Sequence, residues 1–208
     1  MTPVEFIRDG PKTSEDLIGK AKRISKLYCS KIESGDENPI RLLFYGDPGI
    51  GKSTVCKIIA SKLVSNMNMV RHVSAAQVTA EMIREWMNDL AYIRQEWSVY
   101  WIEEVDAVNP VVEVLMLQFL DQLPKKTAVL LTSNAKMSGI TTRFSSRTQA
   151  IKFDKPNIKE VSAFLIKHWK QLGAEAEKIA ESNNGDVRSS LNDAQLSLDI
   201  VCYGKDVG

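Results

Sequence analysis

The stretch Gly46-Asp47-Pro48-Gly49-Ile50-Gly51-Lys52-Ser53 constrains this chain more than any other. It reads G-x-x-x-x-G-K-S, the spacing of a backbone loop that closes around phosphate. Glycine there lets the backbone take positive φ and approach an anion with no Cβ in the way. Successive N–H groups then form a concave nest, and a helix starting after it turns its positive dipole end toward the same anion. Lys52 is placed to reach β- and γ-phosphates, and the Ser53 hydroxyl to bind Mg²⁺. The flanks agree with this. Arg41 to Tyr45 reads as a buried strand, and Thr54 to Val64 carries Val55, Ile58, Ile59 and Leu63 at helical spacing.

Three further stretches extend the pattern. Ser98 to Ile102 is an apolar run ending in Glu103-Glu104-Val105-Asp106. A continuous apolar strand suits the middle of a parallel sheet covered on both faces. Carboxylates at its C-terminal end then lie on the edge where ligands bind in open α/β folds. Thr127 to Asn134 is a second such strand, with Asn134 placed to position a water or touch a γ-phosphate. Gln149 to Phe153 reads as a last strand. Between them, Thr79 to Tyr92 and Val111 to Leu123 are amphipathic helices, and Val70 to Val73 is a short strand. Before the loop, Met1 to Gly10 reads as a short lead and Glu15 to Ile32 as a helix with Leu17, Ile18, Ala21, Ile24, Leu27 and Tyr28 inward. Asp154-Lys155-Pro156 marks a boundary, giving a sheet domain over 1–154 and a helical domain over 155–208.

Composition excludes several classes. A net charge of +1 carries no global nucleic-acid signature, so any basic patch is local. Cys29, Cys56 and Cys202 match no metal spacing and suit a reducing compartment, and His72 and His168 read as incidental. No apolar run reaches membrane-spanning length and no signal-peptide pattern opens the chain, so a cytoplasmic or nuclear protein, or a viral one in host cytosol, is expected rather than a secreted one.

The order of these features resembles the AAA+ ATPases, and among them the small subunits of replication clamp loaders of the replication factor C type. The resemblance runs from about Pro11 to Gln195. It implies a P-loop module with a parallel sheet sandwiched by helices and a small C-terminal helical lid. Pro11-Lys12-Thr13 and Asp16-Leu17-Ile18-Gly19 are similar to the family's stretch over the adenine, which makes Ile18 and Gly19 expected nucleotide contacts. Gly46 to Thr54 corresponds to Walker A and Ile102 to Asp106 to Walker B. Glu104 would polarise the attacking water, and Glu103 would be the Mg²⁺-side carboxylate, one methylene longer than the family's usual Asp. Leu131-Thr132-Ser133-Asn134 resembles sensor 1, with Asn134 the sensor. Ser146-Arg147-Thr148 resembles the clamp loaders' Ser-Arg-Cys, whose arginine reaches a neighbouring subunit's γ-phosphate. Arg147 is the expected finger, with Arg143 as alternative. Gly185-Asp186-Val187-Arg188 resembles the lid motif and makes Arg188 sensor 2.

The resemblance implies ATP and Mg²⁺ as ligands, ATP hydrolysis that needs oligomerisation, and other AAA+ subunits, DNA and a sliding clamp as partners, with no membrane. The alternatives are a helicase loader or replication initiator, whose partner is a replicative helicase, and a weakly hydrolysing ATP switch. The family's collar domain has no counterpart before Gly208, so the chain is expected to be either a clamp-loader piece cut at that boundary or a minimal module.

Overall fold

The apolar runs Leu42–Phe44, Val99–Ile102 and Ala128–Leu131 expose almost nothing to water. In the computed structural model, which describes residues 1–92, 95–134 and 142–203, they form the three central strands of one sheet. The sheet contains β1 (Ile40–Tyr45), β2 (Val70–Ser74), β3 (Ser98–Glu103), β4 (Thr127–Ser133) and β5 (Gln149–Lys152). Their order is β2-β3-β4-β1-β5 and every pairing is parallel. The phosphate-loop strand β1 therefore lies between β4 and β5, and the carboxylate strand β3 lies beyond β4.

Parallel strands need crossover helices, and these cover both faces. α2 (Gly19–Glu33) and α3 (Lys52–Leu63) pack on one face, where Val55, Ile58 and Ile59 meet Leu42, Phe44 and Leu130. α4 (Ala80–Leu90), α5 (Pro110–Asp121) and α6 (Thr142–Arg147) cover the other, where Ile83, Trp86, Met116 and Phe119 meet Tyr100, Ile102 and Leu131. Each fully buried aliphatic or aromatic side chain stabilises such a core by on the order of 1.5–3 kcal/mol.

A third core forms from α7 (Ile158–His168), α8 (Glu175–Ser182) and α9 (Val187–Tyr203). It includes the N-terminus, which the sequence suggested was only a lead. Residues Pro3–Asp9 form helix α1 instead, started by a capping box between Thr2 and Glu5 with Pro3 in the first turn. Phe6 inserts edge-on against Phe164 (5.5 Å) and Trp169 (5.8 Å), and Trp169 Nε1 donates to the Met1 carbonyl (2.9 Å). The chain's first helix thus joins its last three across the whole of the intervening sheet domain.

The helix expected from Glu15 starts later. Ser14–Asp16 is a 3₁₀ turn, held because Asp16 accepts from the Thr13 N–H (3.0 Å) and hydroxyl (2.9 Å), and α2 begins at Gly19. Its buried stripe is Ala21, Ser25, Tyr28 and Cys29, while Leu27, expected inward, is 49% exposed. Ser25 takes an inner place because its hydroxyl shares a hydrogen bond with Ser14 Oγ (2.7 Å).

Gly46 ends β1 with φ +136°, and a Cβ there would stand 2.3 Å from the Phe153 carbonyl oxygen. Neither backbone can yield without breaking the β1–β5 pairing. Gly46→Ala is expected to cost at least about 2 kcal/mol, which lowers the melting temperature by roughly 4–8 °C in calorimetry.

Candidate nucleotide-binding site

The C-terminal ends of β1, β3 and β4 open onto a cavity of about 390 Å³. Its floor is the glycine-rich loop, where Gly49 (φ +78°) and Gly51 (φ +91°) turn the backbone to meet α3 at Lys52. Pro48, Gly49, Ile50 and Gly51 line it, followed by Ser53 and Thr54 from the first turn of α3. Gly46 and Asp47 contribute through their carbonyls, which accept from Lys52 Nζ at 2.8 and 2.7 Å. Lys52 is 6% exposed. That burial pulls its pKa below the ordinary lysine value, against the opposing pull of Asp47, Asp106 and Glu104.

The far wall is built from strand ends. Glu104 follows β3 in the left-handed region (φ 58°, ψ 50°), a costly conformation for a residue with a Cβ. Its N–H donates to Thr132 Oγ1 (3.3 Å), and its carboxylate Oε1 accepts from Asn134 Nδ2 (3.0 Å). The two residues expected to handle water are therefore in direct contact, although thirty positions separate them. Asp106 holds the end of β4: its Oδ1 accepts from Ser133 Oγ (2.6 Å) and from the Asn134 N–H (3.2 Å). Sequence reasoning gave no role to Thr132 or Asp106. The polar ending of β4 was the available signal, but the chemistry depends on the β3–β4 pairing, which residue order does not show.

Glu103 also lines the cavity, and its Oε2 lies 3.2 Å from His72 Nε2. The His72 ring stacks on Trp101 at 3.8 Å and 14°. His72, expected to be incidental, therefore supports a residue of the site. Parallel register sets His72 opposite Trp101 and Ser74 opposite Glu103.

The remaining wall comes from the third core. Arg188, in the first turn of α9, faces the cavity. Asp186 caps that helix through the Ser189 N–H (2.8 Å) and lies against the phosphate loop: a Cβ on Gly49 would stand 3.0 Å from Asp186 Oδ2. Ile18 lines the cavity, whereas Gly19 lies against Pro156, whose Cβ would be 3.4 Å from a Gly19 Cβ. Phe6, Ile7, Gly10 and Pro11 close one side, an N-terminal contribution that the Thr2–Glu5 capping pattern could have signalled.

Neither arginine offered as a finger reaches this cavity. Arg147 ends α6, and its Nε donates to Asp121 Oδ2 on α5 (2.9 Å). Arg143 is exposed on the same helix, and its carbonyl accepts from Ser146 Oγ (2.8 Å).

The donor set suits Mg²⁺ held jointly with phosphates. The Ser53 hydroxyl and the Glu103 carboxylate both line the cavity and are hard oxygen donors. Among the described residues no cluster of three or more His, Cys, Asp or Glu could hold a metal unaided, so phosphate oxygens and water would complete the shell.

Comparison with known proteins agrees with this geometry. A family model described as "ATPase family associated with various cellular activities (AAA)" matches residues 42–155. Replication factor C subunit 4 of Encephalitozoon cuniculi is 25% identical over 201 residues, covering 90% of this chain and 62% of that protein. The Holliday junction branch migration complex subunit RuvB of Mycoplasma genitalium is 25% identical over 194 residues, covering 90% and 61%. The solved structure of the Thermotoga maritima RuvB branch migration motor superposes with a TM-score of 0.74 at 22% identity, covering 94% of this chain and 67% of that one. The chain thus spans about three fifths of the length of these curated relatives. From residues 42–155 and the parallel P-loop sheet that they build, the chain belongs to the AAA family of ATPases.

Proposed function

We propose that this chain is an ATP-hydrolysing switch in DNA replication or recombination, and that it acts as a clamp-loader subunit of the replication factor C kind. One observation carries the ATPase reading: Lys52 at the start of α3, Glu104 and Asn134 just past β3 and β4, and Arg188 from the lid border a single cavity. Phosphates seat in the loop nest, and Lys52 exchanges its two loop carbonyls for β- and γ-oxygens. Ser53 and Glu103 would hold Mg²⁺, which would supply charge neutralisation at those oxygens. Glu104 then orients and polarises a water in line with the γ-phosphate, with Asn134 fixing the carboxylate. Arg188 closes on the γ-phosphate and ties the lid to nucleotide state. Ile18 and the α1 end pack the base.

The clamp-loader role rests on the Ser146-Arg147-Thr148 and Gly185–Arg188 motifs together with the replication factor C relatives. Its partners are other AAA+ subunits, DNA and a sliding clamp. The RuvB likeness at equal identity supports a second reading, an ATP-driven motor on branched DNA. A helicase loader bound to a replicative helicase remains the third. No helix among the described residues is long and apolar enough to cross a membrane, and the proposed site of action is the cytoplasm or nucleus.

Glu104→Gln tests the assignment and the partner together. Losing the carboxylate's charge is expected to slow hydrolysis about a hundred- to a thousandfold, with ATP affinity within about threefold by titration calorimetry. An unchanged rate removes Glu104 from the mechanism. The ATP-held variant, used as bait in extract, should retain a sliding clamp or clamp-loader subunits. A replicative helicase or a junction-binding protein in their place replaces the clamp-loader role by the corresponding alternative.

A further inference from the structure

A second cavity of about 250 Å³ opens at the opposite, N-terminal end of the sheet. Tyr28 and Lys31 of α2, Asp36 of the following loop, Arg41 of β1, Arg147 of α6 and Gln149 of β5 line it. Three cations face one carboxylate. The Tyr28 hydroxyl donates to Gln149 Oε1, and Asp36 accepts from the Asn38 N–H (3.0 Å). Arg147 is held by Asp121, and Lys31 Nζ lies 5.6 Å over the Tyr28 ring. Arg41 differs from the others. Its Nε is buried and has no hydrogen-bond partner among the described residues. A buried guanidinium donor left unsatisfied is costly, more so than a neutral group. Its position is fixed by β1, whose Leu42 is in register with Gln149, two residues beyond Arg147. The strand pairing therefore sets a cation with one buried, unsatisfied N–H donor beside the arginine assigned to a neighbour's nucleotide.

We propose that this cavity receives an oxyanion carried by a neighbouring copy of the chain, with Arg41 as its main donor and Lys31 as its second. This rests on the reading of Arg147 as a finger acting between subunits. It adds that the face around Arg147 is a built anion site, not one isolated arginine. Two groups share the needed chemistry: the γ-phosphate of the neighbour's ATP, or a carboxylate side chain on the rim of its cleft. A charge-assisted hydrogen bond in a desolvated interface carries about ten- to a hundredfold in affinity.

The test is self-association of the full chain by analytical ultracentrifugation in saturating ATP and Mg²⁺. Arg41→Gln should raise the dissociation constant between copies ten- to a hundredfold, while ATP affinity of the dilute chain stays within twofold. Lys31→Gln, on an exposed helix position, guards against a folding defect at Arg41 and should move the constant in the same direction by a smaller factor. If the effect of Arg41→Gln disappears in ADP, the oxyanion is the γ-phosphate; if it is equal in ADP and ATP, it is a side-chain carboxylate. Unchanged association in both variants, with Arg147→Ala still abolishing concentration-dependent hydrolysis, overturns this site alone. Wild-type chain that stays monomeric at every concentration, with a rate per chain that never rises, overturns both this site and the finger.

Discussion

Lys52→Ala should lower ATP affinity at least a hundredfold and remove measurable hydrolysis with it. Lys52 is 6% exposed, and its ammonium donates to two carbonyls of the very loop that must hold phosphate. Burial lowers its pKa despite the opposing pull of Asp47, Asp106 and Glu104, so the site bears a cost for keeping this cation dry, and an arriving anion offsets more of it. Charge-assisted bonds of this kind contribute about 1.5–3 kcal/mol each, and Lys52 would make them to two phosphate oxygens. Their joint loss corresponds to a factor of a hundred or more. Lys52→Arg separates charge from fit. A planar fork is a poor substitute for a point charge reaching between two carbonyls, so affinity should recover only in part. Titration calorimetry with ATP reads both variants, and the far-ultraviolet melting curve shows that the fold persists. Wild-type affinity in Lys52→Ala would remove the phosphate loop from the function altogether.

How much of this was legible beforehand depends on whether the information was local. Walker-type spacing over residues 46–53 is local, and the loop, its strand and α3 stand where residue order put them. The apolar runs at 98–102 and 127–133 also announced central strands, because a strand with no polar face must be covered on both sides. Arg188 and Asn134 were identified through motifs, and both border the cavity. What stayed hidden needed pairing. The contact of His72 with Glu103 exists because β2 lies in register beside β3. Asp106 gains its role only once β4 delivers Ser133 and Asn134 to it. Phe6 is remote from every motif, yet it enters the third core and lines the cavity at the phosphate loop. Leu27 shows the opposite failure. Its spacing fits the inner stripe, but Ser25, hydrogen-bonded to Ser14, is buried in α2 while Leu27 faces water.

Arg147→Ala should leave ATP affinity within twofold and yet lower the rate at saturating ATP about a thousandfold. An arginine that stabilises transition-state charge is worth three to five orders of magnitude, and it contributes nothing to ground-state binding from another subunit. The geometry makes this role plausible in energy as well as in position. Arg147 stands outside its own chain's cavity, tied to Asp121 with side chains 34% and 53% exposed. An ion pair as open as that holds by under about 1 kcal/mol, so the guanidinium can leave it for a γ-phosphate at little cost. The decisive experiment mixes two impaired chains. Glu104→Gln chains bind ATP and barely hydrolyse it, but they still carry Arg147. Arg147→Ala chains have every residue of their own cleft and lack only the donated cation. In an assembly, an Arg147→Ala cleft beside a Glu104→Gln neighbour is complete again. The mixture should therefore hydrolyse ATP far faster than the sum of its parts, and the gain should grow with protein concentration. If Arg147 acted within its own chain, no neighbour could supply it and the mixture would show only the summed residual rates. Recovery in mixtures made with Arg143→Ala, and not with Arg147→Ala, would move the finger one turn back along α6.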